Sequence, residues 1–585
     1  MDFDERYRSD VINYTIDKYG SDRVAHIVTF ATIKAKQAIR DAARVLGLPF
    51  SSGDRVAKLM PPMILGNTAT ISECLELDEE NKSGYSKEFY SASEELRKLY
   101  KNDEEVKKII DIALGLEGLR RQDGIHAAAV VISPSKITNF LPIQQKGENA
   151  EVVTQYEMHT VERLGLLKMD FLGLRNLSII DRTLELIKSK DVDIDNVPLD
   201  DKKTFEIFAS GKMTGVFQLE SRVAQSLSKS LSPKRFEDIV ALVALIRPGP
   251  LGAGMHTEFA DRANGRKDIE YLHPDLENVL GETYGVILYQ EQVMQVAEKI
   301  AGFNLQEADN LRVAMGKKIP KIMEEQRIKF TNGASAKGYS EIFSSELFDQ
   351  IAYFAGYGFN KSHSVPYALL AYQTAYLKAN YPAEYIAACL TAVKRDKDRT
   401  AIFLSEARDI GVQVTTPDIN LSSEDFTVSD NKIIFGLSAV RNVGDVTAQK
   451  IINERNENGD FSSIEDFLSR IDSRSLNKRG VEALAQGGGF DNFGFTRKGV
   501  FEATVDLIED AKDLKKEKLT NHGSLFSLDV SENPWTTIAT SEWENLEVLQ
   551  REREMIIIFV NEDPLDGYGQ VLKSESSHII IDSLH

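Results

Sequence analysis

Lys168 and Asp170 interrupt an otherwise apolar run, Leu166-Leu167-Lys168-Met169-Asp170-Phe171-Leu172-Gly173-Leu174. Alternate side chains of a strand share a face, so the two charges would point one way while Leu167, Met169 and Phe171 point into a core. Charge on so hydrophobic a strand is costly unless it is paired, solvated or bound to an ion. A site is therefore a better explanation of the segment than surface decoration. A structural ion pair at a strand end is the competing explanation.

Other segments gather chemically useful residues, several of them beside glycine or proline. They are Ala244-Leu245-Ile246-Arg247-Pro248-Gly249-Pro250, Tyr289-Gln290-Glu291-Gln292-Val293-Met294, and the run from Ala308 through Arg312 and Val313 to Gly316-Lys317-Lys318. A further segment runs Phe354-Ala355-Gly356-Tyr357-Gly358-Phe359-Asn360-Lys361-Ser362-His363-Ser364, and the chain opens Met1-Asp2-Phe3-Asp4-Glu5-Arg6. Glycines allow a ligand to approach the backbone closely, and Arg247, Arg312, Lys317, Lys318 and Lys361 are the cations these segments carry.

These residues must be positioned by a chain of 585 residues, long enough for several domains. With 42% hydrophobic and 27% charged residues it reads as soluble and globular. It has no apolar run of about eighteen residues, which excludes a membrane helix. Cys74 and Cys389 fit neither a disulfide framework nor zinc spacing, as suits a reducing cytoplasm, and nothing suggests export. A net charge of −20 argues against binding nucleic acid only as a whole-chain sum. Acidic residues gather between Glu73 and Glu105, whereas Arg312 to Lys329 is locally basic; a solvated helix face is the default reading of such a cluster.

Strand-like runs occur at His26–Phe30 and Ala128–Ile132, with helical patterns between them and a long, mainly helical region from 176 to about 425. Val365-Pro366 is compatible with a helix starting there. Gly436 to Gly444, followed by a helical pattern over Asp445 to Asn453, reads as a helix-hairpin-helix. Its Gly turn, with Arg441, Asn442 and Gly444, would offer backbone N–H groups to a phosphate. Lys478 and Arg479 lead into Gly487-Gly488-Gly489, a looser turn than a hairpin wants.

Together and in this order, these segments resemble the C family of bacterial replicative DNA polymerases, the DNA polymerase III alpha subunits, from Asp2 to about Pro564. The resemblance implies an α+β, mostly helical, multidomain polymerase. A partial palm would occupy 1–30 and 115–175, an inserted helical thumb 31–114, large fingers 176–425 and a tandem helix-hairpin-helix 426–500. Residues 501–585 would hold a clamp-binding peptide and the start of a further region.

The implied activity is template-directed addition of a nucleotide to a primer 3′-hydroxyl, with two magnesium ions about 4 Å apart. Asp170 would be one metal ligand, Asp2 a stand-in for another, and Lys168 would neutralise charge near the primer end or triphosphate. The family's two leading aspartates would fall before Met1, so the chain alone is expected to be inactive or severely impaired. Arg247, Arg312, Lys317, Lys318, Tyr357, Asn360, Lys361 and His363 would contact the nucleotide, with Tyr357 and His363 near base and sugar. Arg441, Asn442, Gly444, Lys478 and Arg479 would contact DNA, and Leu525-Phe526, without the family's Gln, a sliding clamp. Implied partners are primer-template DNA, deoxynucleoside triphosphates, the clamp and other replisome subunits, including a separate proofreading exonuclease, in a bacterial cytoplasm at the nucleoid. Core packing competes with each aromatic assignment. A non-catalytic primer-template-binding fragment and a decayed relic remain open as alternatives.

Overall fold

The computed structural model describes residues 1–63, 67–76, 84–145, 147, 150–187, 192–317, 320–355, 357–471, 476–520, 536–557 and 559–560. They form two compact units: Met1–Leu177 with Arg247–Gly254, and Ser178–Ile246 with Met255–His585. Among the described residues no helix is long and apolar enough to cross a membrane.

The first unit is built on strands β1 (Asp2–Asp4), β2 (Val24–Thr32), β3 (Arg120–Ile132), β4 (Ile143–Gln144), β5 (Val153–Glu157), β6 (Leu167–Asp170) and β7 (Leu172–Leu174). Five form a sheet in the order β4-β5-β2-β3-β6, while β1 pairs with β7 in parallel. The β-branched runs of β2 and β3 make its antiparallel centre. On one face Ala25, Ile27, Ala129 and Val131 pack with Val161 and Leu166; on the other Val24 and Val130 pack with Ile12 and Phe171. Because both faces are covered, the run at 128–132 is continuously apolar rather than alternating. Between β2 and β3 the chain makes a separate helical cluster, Ala35–Val45 through Glu104–Leu116, around Ile39, Val56, Ile71, Leu96 and Ile110.

The second unit is almost wholly helical. Its core around Val293, Ile300, Leu311, Phe330 and Ile351 joins helices Gln290–Ala301, Leu305–Lys317, Pro320–Ala336 and Glu341–Ala355. A larger core runs from Tyr385 and Phe403 to Leu484 and Ile556. It includes a small sheet of β8 (Val414–Thr415), β9 (Thr427–Ser429) and β10 (Lys432–Ile434), in the order β8-β10-β9.

Three local expectations change. The helix containing Pro366 begins five residues earlier, at Lys361, because Asn360 caps it by accepting from the His363 N–H at 2.8 Å. The three glycines at 487–489 are a tight fit: a Cβ on Gly487 would lie 3.3 Å from Ile556, one on Gly488 2.6 Å from Arg497 and one on Gly489 3.1 Å from Leu484. Gly488 also has φ +92°, where glycine avoids the Cβ penalty. Leu167, expected in a core, is 56% exposed at the open start of β6.

Candidate functional site

Register explains the charged pair on β6. Lys168 is opposite Val131 and Asp170 opposite Ala129, so both rise from the face that carries Val161 and Leu166. Asp170 stands at the strand end, its side chain 49% exposed, while that of Lys168 is only 17% exposed. The ammonium lies 3.3 Å from Asp170 Oδ2 and 3.8 Å from Glu162 Oε1. Asp2 is on a different strand, its Cα opposite Leu172. The Met1 nitrogen donates to the Asp170 carbonyl at 2.8 Å, and Arg8 Nε donates to that of Phe171 at 2.7 Å. Among the described residues no three His, Cys, Asp or Glu gather where they would hold a metal ion. The carboxylates of this chain that are described therefore do not by themselves make a two-magnesium site.

Arg247 falls in the first compact unit. Burial lowers its pKa, the mark of a partly desolvated guanidinium.

In the second unit three separate sequence segments converge. Tyr289 forms a parallel bridge with Phe359: Gln290 N donates to Phe359 O at 2.9 Å and Phe359 N to Leu288 O at 3.1 Å. The Gln290 amide donates to Gly358 O at 3.3 Å and accepts from Arg312 at 3.4 Å. Gln292 ties the turn together, accepting from the N–H groups of Leu288 and Tyr289, both at 2.9 Å, and donating to Thr283 at 2.7 Å. Gln290 and Gln292 were visible in the quoted motif, but their linking geometry was not.

Among the described residues, two expected phosphate ligands of this unit, Lys361 and Arg312, are already engaged. Lys361 Nζ lies 2.7 Å from Glu282 Oε2 and its backbone N–H donates to Glu291 at 2.9 Å. Arg312 pairs with Asp309 at 2.8 Å. In the basic stretch beyond, Arg327 pairs with Asp349 and Lys329 with Glu307, which reduces the free positive field that these two residues would give. His363 is exposed between Phe359 and Tyr367, with centroids 5.5 and 4.5 Å away. Tyr357 meets Tyr353 edge-on at 6.1 Å. Lys318 lies outside the described residues, as does the Lys317 side chain.

In the hairpin region Arg441 is exposed, its N–H donating to Met555 O at 3.0 Å, and Asn442 turns the chain at φ 65°. Gly444 precedes helix Asp445–Asn458. Asp445 in its first turn is held by Lys394 at 2.9 Å and by Arg395, and the Lys394 ammonium keeps its pKa below the usual carboxylate value. Lys478 and Arg479 are exposed in the first turn of helix Lys478–Gly487, with Lys478 3.6 Å from Glu482. Leu525 and Phe526 lie outside the described residues.

Residues 1–173 match the family described as the bacterial DNA polymerase III alpha NTPase domain, 176–338 the finger domain of that subunit, and 411–500 a helix-hairpin-helix motif. A DNA polymerase III subunit alpha of Mycobacterium tuberculosis (strain CDC 1551 / Oshkosh) is 40% identical over 590 residues, 98% of this chain and 49% of the relative. That of Borreliella burgdorferi is 40% identical over all of this chain and 50% of the relative, and that of Escherichia coli (strain K12) 39% identical with the same coverage. The chain thus spans about half the length of the curated relatives it matches. Matched almost end to end, with the domains in one consistent order, the chain belongs to the bacterial DNA polymerase III alpha subunit family.

Proposed function

We propose that this chain is polymerase sequence of a replicative enzyme, serving template-directed addition of deoxynucleotides to a primer 3′-hydroxyl. The observation that carries the reading is the match to polymerase III alpha subunits over 98% of the chain or more. Asp170 is the carboxylate this chain would offer to magnesium, with Asp2 as a second oxygen donor. Two bound magnesium ions would supply electrostatic stabilisation of the attacking and leaving oxygens. Lys168 would restrain the Asp170 carboxylate from the same strand face.

Lys361, Arg312 and, in the other unit, Arg247 are the candidates for phosphate, with Lys317 and Lys318 beside them in sequence; Tyr357, Asn360 and His363 are those for base and sugar. Arg441, Asn442, Gly444, Lys478 and Arg479 would meet the DNA backbone, where contacts position the duplex without reading sequence. The wider reading includes a sliding clamp taken by Leu525-Phe526, a separate exonuclease, and a place at the bacterial nucleoid. A non-catalytic primer-template-binding role is the second reading, favoured by the ion-paired state of Asp170 and the absence of a metal-binding cluster among the described residues.

Primer-template binding and primer extension, measured across a salt series on one preparation of the protein as its own organism makes it, distinguish them. Extension that follows the template supports the polymerase reading. Steeply salt-dependent binding without extension supports the second, and neither binding nor extension refutes both.

A further inference from the structure

Lys361, Glu282 and Tyr289 form a cluster whose bonding is incomplete. Glu282 Oε2 holds the Lys361 ammonium at 2.7 Å, and Arg235 anchors the Glu282 backbone by donating to its carbonyl at 2.7 Å. The same ammonium stands 5.5 Å from the centroid of the Tyr289 ring. Tyr289 is only 1% exposed, and its buried hydroxyl has no hydrogen-bond partner among the described residues. Burial pushes the phenol pKa up, and of the charges around it Glu282 acts most strongly, ahead of Glu291 and Asp238.

A buried hydroxyl without an acceptor is unfavourable, and Glu282, the charge that acts on it most strongly, would be a candidate acceptor once it released its lysine. Lysine is a compact point charge with three donors, so a ligand carrying several negative charges competes for it better than one carboxylate does, whereas a lightly charged anion gains little. We infer that Glu282 is a latch: it holds Lys361 until a polyphosphate takes the ammonium, whereupon the carboxylate passes to the Tyr289 hydroxyl. The latch makes the site selective for polyphosphates over single phosphates. It rests on the reading of Lys361 as a phosphate ligand.

Titration calorimetry with inorganic tripolyphosphate and with orthophosphate tests both. Lys361→Ala should weaken tripolyphosphate binding. Glu282→Gln should tighten it about threefold, the scale of a part-exposed ion pair, and narrow the preference over orthophosphate. Tyr289→Phe, which keeps the ring and its packing, should weaken binding about fivefold where Glu282 is present and leave it unchanged in the Glu282→Gln background. A merely structural tyrosine would weaken both backgrounds alike. No binding by the wild type, or no loss with Lys361→Ala, overturns the phosphate reading and the latch with it. Loss with Lys361→Ala but no gain with Glu282→Gln, or equal effects of Tyr289→Phe in both backgrounds, overturns the latch alone.

Discussion

Lys168 Nζ and Asp170 Oδ2 lie 3.3 Å apart, two residues along one strand and on one face of the sheet. The lysine stem is largely covered while the carboxylate is half exposed, so solvent screens the pair. Most of what Lys168 contributes to stability is then the packing of its methylenes. Lys168→Met, which keeps that packing, should change the unfolding free energy by less than about 1 kcal/mol in urea titration. A loss above about 3 kcal/mol would mean that the ion pair is a structural requirement of the strand.

His26 is 7% exposed, Arg8 bears on it, and its Nδ1 is buried without a hydrogen-bond partner among the described residues. Burial, reinforced by Arg8 and opposed by Glu151, lowers its pKa below 6.5. Below that pH the unfolded chain binds the proton and the folded chain resists it, so this histidine makes stability fall as pH falls. Thermal denaturation from about pH 7.5 to about pH 5.5 should show a shallower decline for His26→Gln than for the wild type. Parallel declines would show that His26 titrates normally in the fold.

Gly333 lies inside helix Pro320–Ala336, where alanine would ordinarily stabilise by about 1 kcal/mol. A Cβ there would stand 2.1 Å from the Ala301 carbonyl oxygen, at the end of helix Gln290–Ala301. The clash is with backbone and cannot be relieved by a rotamer change. Gly333→Ala should therefore lower stability by about 1–3 kcal/mol, and a raised Tm would contradict the close approach of these helices.

Pattern was legible where one element carried it. The β-branched residues of Val24–Thr32 and the glycine before Asp445 both announced their elements. The start of helix Lys361–Asn380 was misplaced because Pro366 looked like a first residue, although Asn360 held the capping signal. The triple glycine looked loose because the side chains that crowd it, Ile556 and Arg497, arrive from other helices. Glu282 precedes Lys361 by 79 residues, so a pairing that decides whether the lysine is free had no local signature.

Arg497 and Glu552 pair at 2.7 Å with the glutamate wholly buried, and Arg497 also holds Asp491 at 2.7 Å. Removing the cation alone takes the Arg497 partner from a buried carboxylate that the Val560 N–H also holds at 2.6 Å. Arg497→Met should destabilise the helix-hairpin-helix region by about 3–5 kcal/mol, and Arg497→Met with Glu552→Met should recover much of that. Equal losses in the single and double variants would show that Arg497 acts through packing alone.

The most direct test is primer extension by the protein as its own organism makes it, wild type against Asp170→Asn, with primer-template affinity measured alongside. Extension is expected to fall by about a hundredfold or more while binding is retained, because on the proposed reading the substitution removes a metal-binding carboxylate and leaves the residues proposed to meet DNA in place. Unchanged extension in Asp170→Asn would contradict the central claim.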